Sequence, residues 1–309
     1  MPSRSRILKI IRNVVLILAA LVAIFFFVVV PWLFTALITH RQYHYPDLND
    51  GKTPGSYHLQ FRWIAFSSLD GIPLTGWYIP AEGTARGTII YCHGLNRTRI
   101  EMLPDAVFGH SLGYNGLLFD FRHQGGSRGD ITTLGYQERL DVRGAVRYAL
   151  EQDEAARPVV VWGVSMGASA ALMAAAESPD IAAVISDSSF DSFMGTLRHH
   201  LKLFLHLPGF PIADEVGYWT AWRGHFNPAD FDLVKATERI GDRPILFVAV
   251  EGDRRMPPSI AETLYAHAHS PLKKIIILPG HRHGEGFNQA TEPYEEAVSD
   301  FLASLPAGK

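Results

Sequence analysis

Residues 159–177 read VVVWGVSMGASAALMAAAE: a β-branched apolar run, a glycine-flanked serine, then small residues with high helical propensity. Gly163-Val164-Ser165-Met166-Gly167 has the spacing G-x-S-x-G, set directly between a strand and a helix. In that setting the pattern forms a sharp turn that lifts the serine hydroxyl above the end of a sheet. The turn crowds the residues two before and two after the serine, so both must be small, and both are glycine. Ser165 is therefore a candidate nucleophile; in a plain loop the same five residues would be an incidental serine in a turn.

A serine hydroxyl needs an imidazole base, and the imidazole needs a carboxylate to fix its tautomer and stabilise its charge. On a strand–turn–helix scaffold of this kind the partners follow the serine in the order acid, then histidine. The apolar run 245–250 ends in Glu251-Gly252-Asp253, and the run 275–278 ends in Pro279-Gly280-His281-Arg282-His283-Gly284. Asp253 is preferred over Glu251 because Arg254-Arg255-Met256-Pro257-Pro258 then turns into a helix, leaving Asp253 in the loop. His283 is preferred over His281 as the base, with Gly280 starting the turn and Gly284 letting the backbone pass close to the nucleophile. Asp187, at the end of another strand, is the fallback acid. An oxyanion needs two backbone N–H donors. Met166 supplies one, and Leu95, in Tyr91-Cys92-His93-Gly94-Leu95-Asn96, supplies the second, with Gly94 permitting an unusual turn. His93 reads as a structural loop residue rather than a second base.

Working outward, short β-branched runs alternate with longer stretches of helical period, the pattern of a largely parallel sheet covered by helices. Strands are expected at 58–67, 72–79, 88–92, 116–121, 159–163, 182–186, 245–250 and 274–278, the first two forming an antiparallel hairpin across Leu69-Asp70-Gly71. Helices are expected at 99–112, 136–152, 166–177, 259–269 and 290–305. The fold class is thus α/β: a mostly parallel central sheet of about eight strands with helices on both faces. The candidate residues all fall at carboxyl ends of strands, where open α/β sheets place ligands.

Upstream of the sheet, residues 14–38 form a run of 25 without a charge. As a helix this spans about 37 Å, enough to cross a hydrocarbon core of roughly 30 Å. It is too long for the apolar region of a cleaved signal peptide, and it ends at WLFTALITH rather than at a small-residue cleavage site. It reads as an uncleaved transmembrane anchor, with Pro31 allowing a kink and Trp32 at the interface. Arg4, Arg6, Lys9 and Arg12 precede it and only Arg41 and Lys52 follow soon after, which keeps the N-terminus cytoplasmic and puts the remainder on the extracytoplasmic side, the periplasmic face in a bacterium. The chain divides into an N-terminal stub and anchor (1–39), a turn-rich linker (40–57) and a folded domain (58–309).

The 28 Lys+Arg against 31 Asp+Glu give a net charge of -3, which leaves no basic excess for a nucleic-acid backbone. One cysteine, Cys92, makes neither an intramolecular disulfide nor a thiolate metal cluster. Of the 14 histidines, His199, His200 and His206 cluster in sequence, but no carboxylate stands at metal-ligand spacing, so no metal and no cofactor are expected.

These motifs together resemble the α/β-hydrolase fold, and within it membrane-anchored bacterial serine hydrolases of serine aminopeptidase-like and esterase type, over roughly residues 58–305. The resemblance takes in His93-Gly94, the Ser165 turn, the Asp253 and His283 loops, and Asp120-Phe121-Arg122-His123-Gln124-Gly125-Gly126-Ser127, similar to that family's supporting D-x-R-x-x-G-x-S loop. Two positions depart from it: Val250 where a glycine is common three residues before the acid, and His281 where a small residue usually stands two before the histidine. The resemblance also implies a lid from the insertion at about 188–243. Phe190, Phe193, Leu201, Phe204, Leu205, Trp219, Trp222 and Phe226 in it fit either an acyl-binding surface or ordinary packing against the core. The expectation is a serine hydrolase acting on an ester or thioester of a small-molecule or lipid-like acyl group. An aminopeptidase or amidase of the same fold, and a non-catalytic binding protein retaining it, stand as alternatives.

Overall fold

The structure is a computed structural model describing residues 4–40, 45–152, 157–206 and 209–306. Arg41 and residues 41–44 of the expected linker lie outside the described residues.

Eight strands form one sheet: β1 (Arg62–Ser67), β2 (Pro73–Ile79), β3 (Thr88–Cys92), β4 (Asn115–Phe119), β5 (Val159–Val164), β6 (Ile181–Asp187), β7 (Ile245–Val250) and β8 (Lys274–Leu278). Their spatial order is β1-β2-β4-β3-β5-β6-β7-β8. β1 pairs antiparallel with β2 and β2 with β4, while every pair from β4 to β8 is parallel. Residues on alternate sides of each strand enter separate cores, as the period of two requires: Ile90, Cys92, Val159 and Val161 face one layer, and Ile89, Tyr91, Val160 and Trp162 the other. Cys92 is fully buried, and burial pushes its thiol pKa well up.

The helices are α1 (Arg4–Ile24), α2 (Val30–His40), α3 (Leu103–Ser111), α4 (Glu138–Gln152), α5 (Met166–Glu177), α6 (Phe193–Leu205), α7 (Ile212–Arg223), α8 (Leu233–Ile240), α9 (Pro258–His267), α10 (Gly286–Gln289) and α11 (Thr291–Ala303). α4, α5, α8 and α9 pack on the first face, α3 and α11 on the second. α1, a π-helical turn (Phe25–Val29) and α2 run on as one helix, Arg4–His40, which among the described residues is the one long and apolar enough to cross a membrane. The π turn, closed by the Val30 N–H donating to the Phe25 carbonyl, lies just before Pro31, whose missing N–H interrupts the ordinary ladder.

Several elements differ in their bounds from the sequence reading or add to it. The first strand starts at Arg62 rather than at 58, because His58 turns the chain at φ 60°. Residues 99–112 divide into a 3-10 turn, Arg99–Met102, and α3, which begins with Pro104 in its first turn, where its missing N–H costs nothing. Residues 45–57 are laid on the domain: the Tyr45 N–H donates to the Asn96 carbonyl (3.0 Å) and Pro54–Tyr57 forms a 3-10 turn. Among the described residues, 188–243 hold three α-helices and a 3-10 turn, Pro228–Asp230; α8 buries Leu233, Ala236 and Ile240 in the main core. Phe190, Phe193 and Phe231 are buried against one another, so much of the aromatic content of the insertion is core.

Candidate active site

Ser165 occupies the turn between β5 and α5 at φ 55°, ψ -118°, a conformation L-residues rarely adopt. Its own N–H donates to the Asp187 carbonyl (2.8 Å), and its carbonyl accepts from the Ser169 N–H (3.1 Å), so both neighbouring elements hold the strained backbone. The flanking glycines are required by close approach. A Cβ at Gly163 would lie 2.4 Å from the Gly167 backbone, and one at Gly167 2.0 Å from the Cys92 carbonyl oxygen.

The structure brings together three of the residues singled out in the sequence. The Ser165 hydroxyl donates to His283 Nε2 (2.7 Å), and His283 Nδ1–H donates to Asp253 Oδ2 (2.7 Å). A carboxylate only accepts, so Nδ1 carries the proton and Nε2 is left free to receive one. Asp253 Oδ1 accepts from the Arg255 (2.8 Å) and Met256 (3.0 Å) amides. Burial alone would raise the Asp253 carboxyl, but the bond from His283, the electrostatic attraction of that ring and the two amides outweigh it and hold the group below the usual carboxylate range. Burial is nearly complete on both partners of the His283–Asp253 pair.

Asp187 and His281 stand apart from this chain of bonds. Asp187 accepts from the Ser188 (2.7 Å) and Tyr294 (3.0 Å) hydroxyls, and burial raises it to about 6. The His281 N–H donates to Gln289 Oε1 (2.9 Å), and among the described residues no bond from its ring enters the site. Glu251 is exposed. Val250 is an ordinary buried residue of β7.

The loop after β3 lies across from Ser165. Among the described residues neither the Leu95 nor the Met166 amide donates to a protein acceptor. Gly94 adopts no positive φ; Asn96 is the residue at positive φ in that loop, at 58°. What Gly94 provides is space, since a Cβ would sit 3.6 Å from Ser165 Cβ and 3.2 Å from Glu101 Oε2. His93 is fully buried: Nδ1–H donates to the Gly94 carbonyl (2.8 Å) and Nε2 accepts from the Phe121 amide (3.0 Å). Burial lowers its pKa, so it is a neutral tie between the loops after β3 and β4.

One residue was missed by sequence reasoning. Glu101 Oε2 accepts from the Gly94 N–H (2.6 Å) and Oε1 faces the Arg97 guanidinium (3.2 Å), fixing the loop that carries Leu95. Burial drives the Glu101 carboxyl up to about 7. Its place in a 3-10 turn, seven residues on, carries no motif that would have found it.

The 120–127 loop supports the site from behind. Asp120 accepts from the Arg99 (2.8 Å) and Gly126 (2.7 Å) amides. Arg122 is bracketed by Asp141 (2.6–3.1 Å) and Asp70 (2.8 Å). His199 and His200 donate through Nε2 to the Arg254 (2.7 Å) and Arg255 (3.2 Å) carbonyls, tying α6 to the loop that holds Asp253.

The profile of the X-Pro dipeptidyl-peptidase (S15) family matches residues 80–217, a stretch that includes Ser165 and ends before Asp253 and His283. An uncharacterised Bacillus subtilis protein, YqkD, is 27% identical over 240 residues, covering 77% of this chain and 78% of that protein. Among solved structures, the Pyrococcus furiosus esterase Pf2001 aligns with a TM-score of 0.70 at 22% identity, over 86% of this chain and 99% of that one. An α/β hydrolase of Penicillium sp., GrgF, aligns at 0.62 with 23% identity, over 79% of this chain and 98% of that one.

Proposed function

We propose that this chain, whose fold is that of the α/β hydrolases, is a serine hydrolase that cleaves a carboxylic ester or thioester through an acyl-enzyme intermediate. The observation that carries this reading is the unbroken chain of hydrogen bonds from Ser165 to His283 to Asp253, with the nucleophile on a strained turn at the head of the sheet. Ser165 Oγ attacks the acyl carbonyl as its proton passes to His283 Nε2. Asp253 stabilises the imidazolium through Nδ1–H. The Leu95 and Met166 amides receive the developing oxyanion. His283 then returns the proton to the departing alkoxide or thiolate, and the same base activates water to release the acid and regenerate Ser165. No cofactor takes part in these steps.

The helix Arg4–His40 anchors the enzyme in a membrane, with the N-terminus in the cytoplasm and the catalytic domain on the other side, as the basic residues Arg4, Arg6, Lys9 and Arg12 favour. The substrate is a small-molecule or lipid-like acyl compound. A second reading, cleavage of a peptide amide, is favoured by the match of residues 80–217 to a peptidase family. A panel pairing aryl and alkyl esters with aminoacyl and dipeptidyl amides separates the two by kcat/KM.

The primary test is fluorophosphonate labelling of the detergent-solubilised protein, read by intact mass and peptide mapping. Wild type is expected to gain one adduct on Ser165, while Ser165→Ala and His283→Ala stay unlabelled. Ser165→Ala should lower ester turnover by at least about 10⁴-fold. A folded wild type that takes no label, or an unchanged turnover in Ser165→Ala, rejects the mechanism in favour of a binding protein.

A further inference from the structure

The end of the apolar helix is docked on the catalytic domain. Pro31, Thr35 and Thr39, spaced by one turn, form its buried face. The Thr35 hydroxyl donates to the Val216 carbonyl of α7 (3.4 Å), and the Thr132 amide donates to the Thr39 carbonyl (2.9 Å). At the far end of α7, the Arg223 guanidinium lies 4.8 Å over the Trp32 ring, donates to the Trp32 carbonyl (3.3 Å) and reaches His40 Nδ1 (3.4 Å). Arg223 thus meets the His40 end of α2, Val216 meets Thr35, and α7 also touches the π turn at Phe25–Val29. Followed back from Arg223 to Ile212, α7 descends beside the helix toward its charge-free middle.

The described residues at the tip that α7 leads down to leave apolar side chains uncovered. Residues 203–213 read LFLHLPGFPIA, with no Asp, Glu, Lys or Arg. Phe204 and Leu205 at the end of α6 are exposed, and Phe210 is 78% exposed. On α7, Tyr218 and Trp222, one turn apart, are 65% and 66% exposed, and Trp222 adjoins Arg223 in sequence. Aromatic rings beside Arg223, with the exposed apolar side chains of Phe204, Leu205 and Phe210 beyond them, resemble the layering of a membrane interface; between the two, at the start of α7, Asp214 is paired with Arg198 and Glu215 is half-buried. Exposed apolar side chains grouped in this way are a liability in water that a lipid surface removes.

We propose that the α6–α7 hairpin is a second membrane-contacting element: its tip enters the leaflet spanned by Arg4–His40, with Tyr218 and Trp222 at the headgroup level. The hairpin is tied to the loop of Asp253 through His199 and His200, so the element seated on lipid also braces that loop. This inference rests on the reading of Arg4–His40 as an anchor.

The test uses the full chain in phosphatidylethanolamine–phosphatidylglycerol vesicles, with an environment-sensitive fluorophore on a cysteine introduced one at a time as Leu18→Cys, Phe210→Cys or Lys235→Cys. Cys92, being buried, is silent to the reagent. Nitroxide lipids labelled near the headgroup or deep in the acyl chain, and aqueous iodide, are the quenchers. The Leu18 label should respond to the deep nitroxide, the Phe210 label should shift to the blue and respond to the shallow one, and the Lys235 label should respond to iodide alone. A Phe210 label quenched by iodide like that at Lys235, with the Leu18 label still in lipid, overturns the proposal and leaves the anchor standing. A Leu18 label open to iodide overturns both. A Phe210 label shielded from iodide and from every nitroxide, with cross-links between copies, assigns the face to a second copy of the chain and likewise overturns the proposal.

Discussion

Glu101 sits where burial and charge oppose each other. Burial raises its carboxyl from 4.5 to about 7, while the Gly94 N–H and the Arg97 guanidinium favour the ionised form. A carboxyl whose folded pKa lies above its unfolded value contributes stability that is complete below about 4.5 and is lost as pH rises through about 7, because the unfolded chain gives up the proton first. Glu101→Gln keeps an oxygen for the Gly94 N–H and removes the titration. Its melting temperature relative to wild type should therefore rise between pH 4 and 8; a pH-independent difference refutes the assignment. The contrast with Ser165, Asp253 and His283 is instructive about what a sequence displays. Those three are marked by strand ends and chain order, which one-dimensional reading can follow. Glu101 is marked only by where a 3-10 turn happens to fold back.

At the scale of elements, the loop 120–127 depends on one buried cation. Asp141 is fully buried, and burial lifts its carboxyl to about 7 even with Arg122 hydrogen-bonded to it. The Asp70 carboxylate, on the other side, is 37% exposed and contributes little of its own. Arg122→Met leaves Asp141 buried without its cation and should cost about 3–5 kcal/mol. Urea denaturation measures this, and a loss under about 1 kcal/mol would mean that solvent reaches Asp141. The strands were legible because β-branched runs bounded by turn residues have few other uses, and both faces of the sheet are covered. Their ends were not, since His58 and Pro104 act through backbone geometry that hydropathy does not register. The helix α7 was obscured for a different reason. It buries Ala213, Val216 and Ala221 while leaving Tyr218 and Trp222 outward, and an amphipathic period is blurred when both faces are apolar.

For the whole molecule, composition and the alternation of elements were enough to indicate a two-faced α/β core. The docking of α2 was not read, although Thr35 and Thr39 carried a signal: two hydroxyls four residues apart, inside an otherwise apolar helix, that face protein rather than lipid. Cys92 has its own bearing on the molecule as a unit. It lies on β3, hydrogen-bonded between β4 and β5 at the middle of the sheet, with no solvent access and a thiol poorly disposed to ionise. A thiol reagent can reach it only in molecules whose sheet has parted, so the rate of modification under native conditions counts opening events. That rate should climb with added urea along the same slope as global unfolding; a denaturant-independent rate would reveal a local breach beside β3 instead. The protein thus carries a built-in timer for its own kinetic persistence.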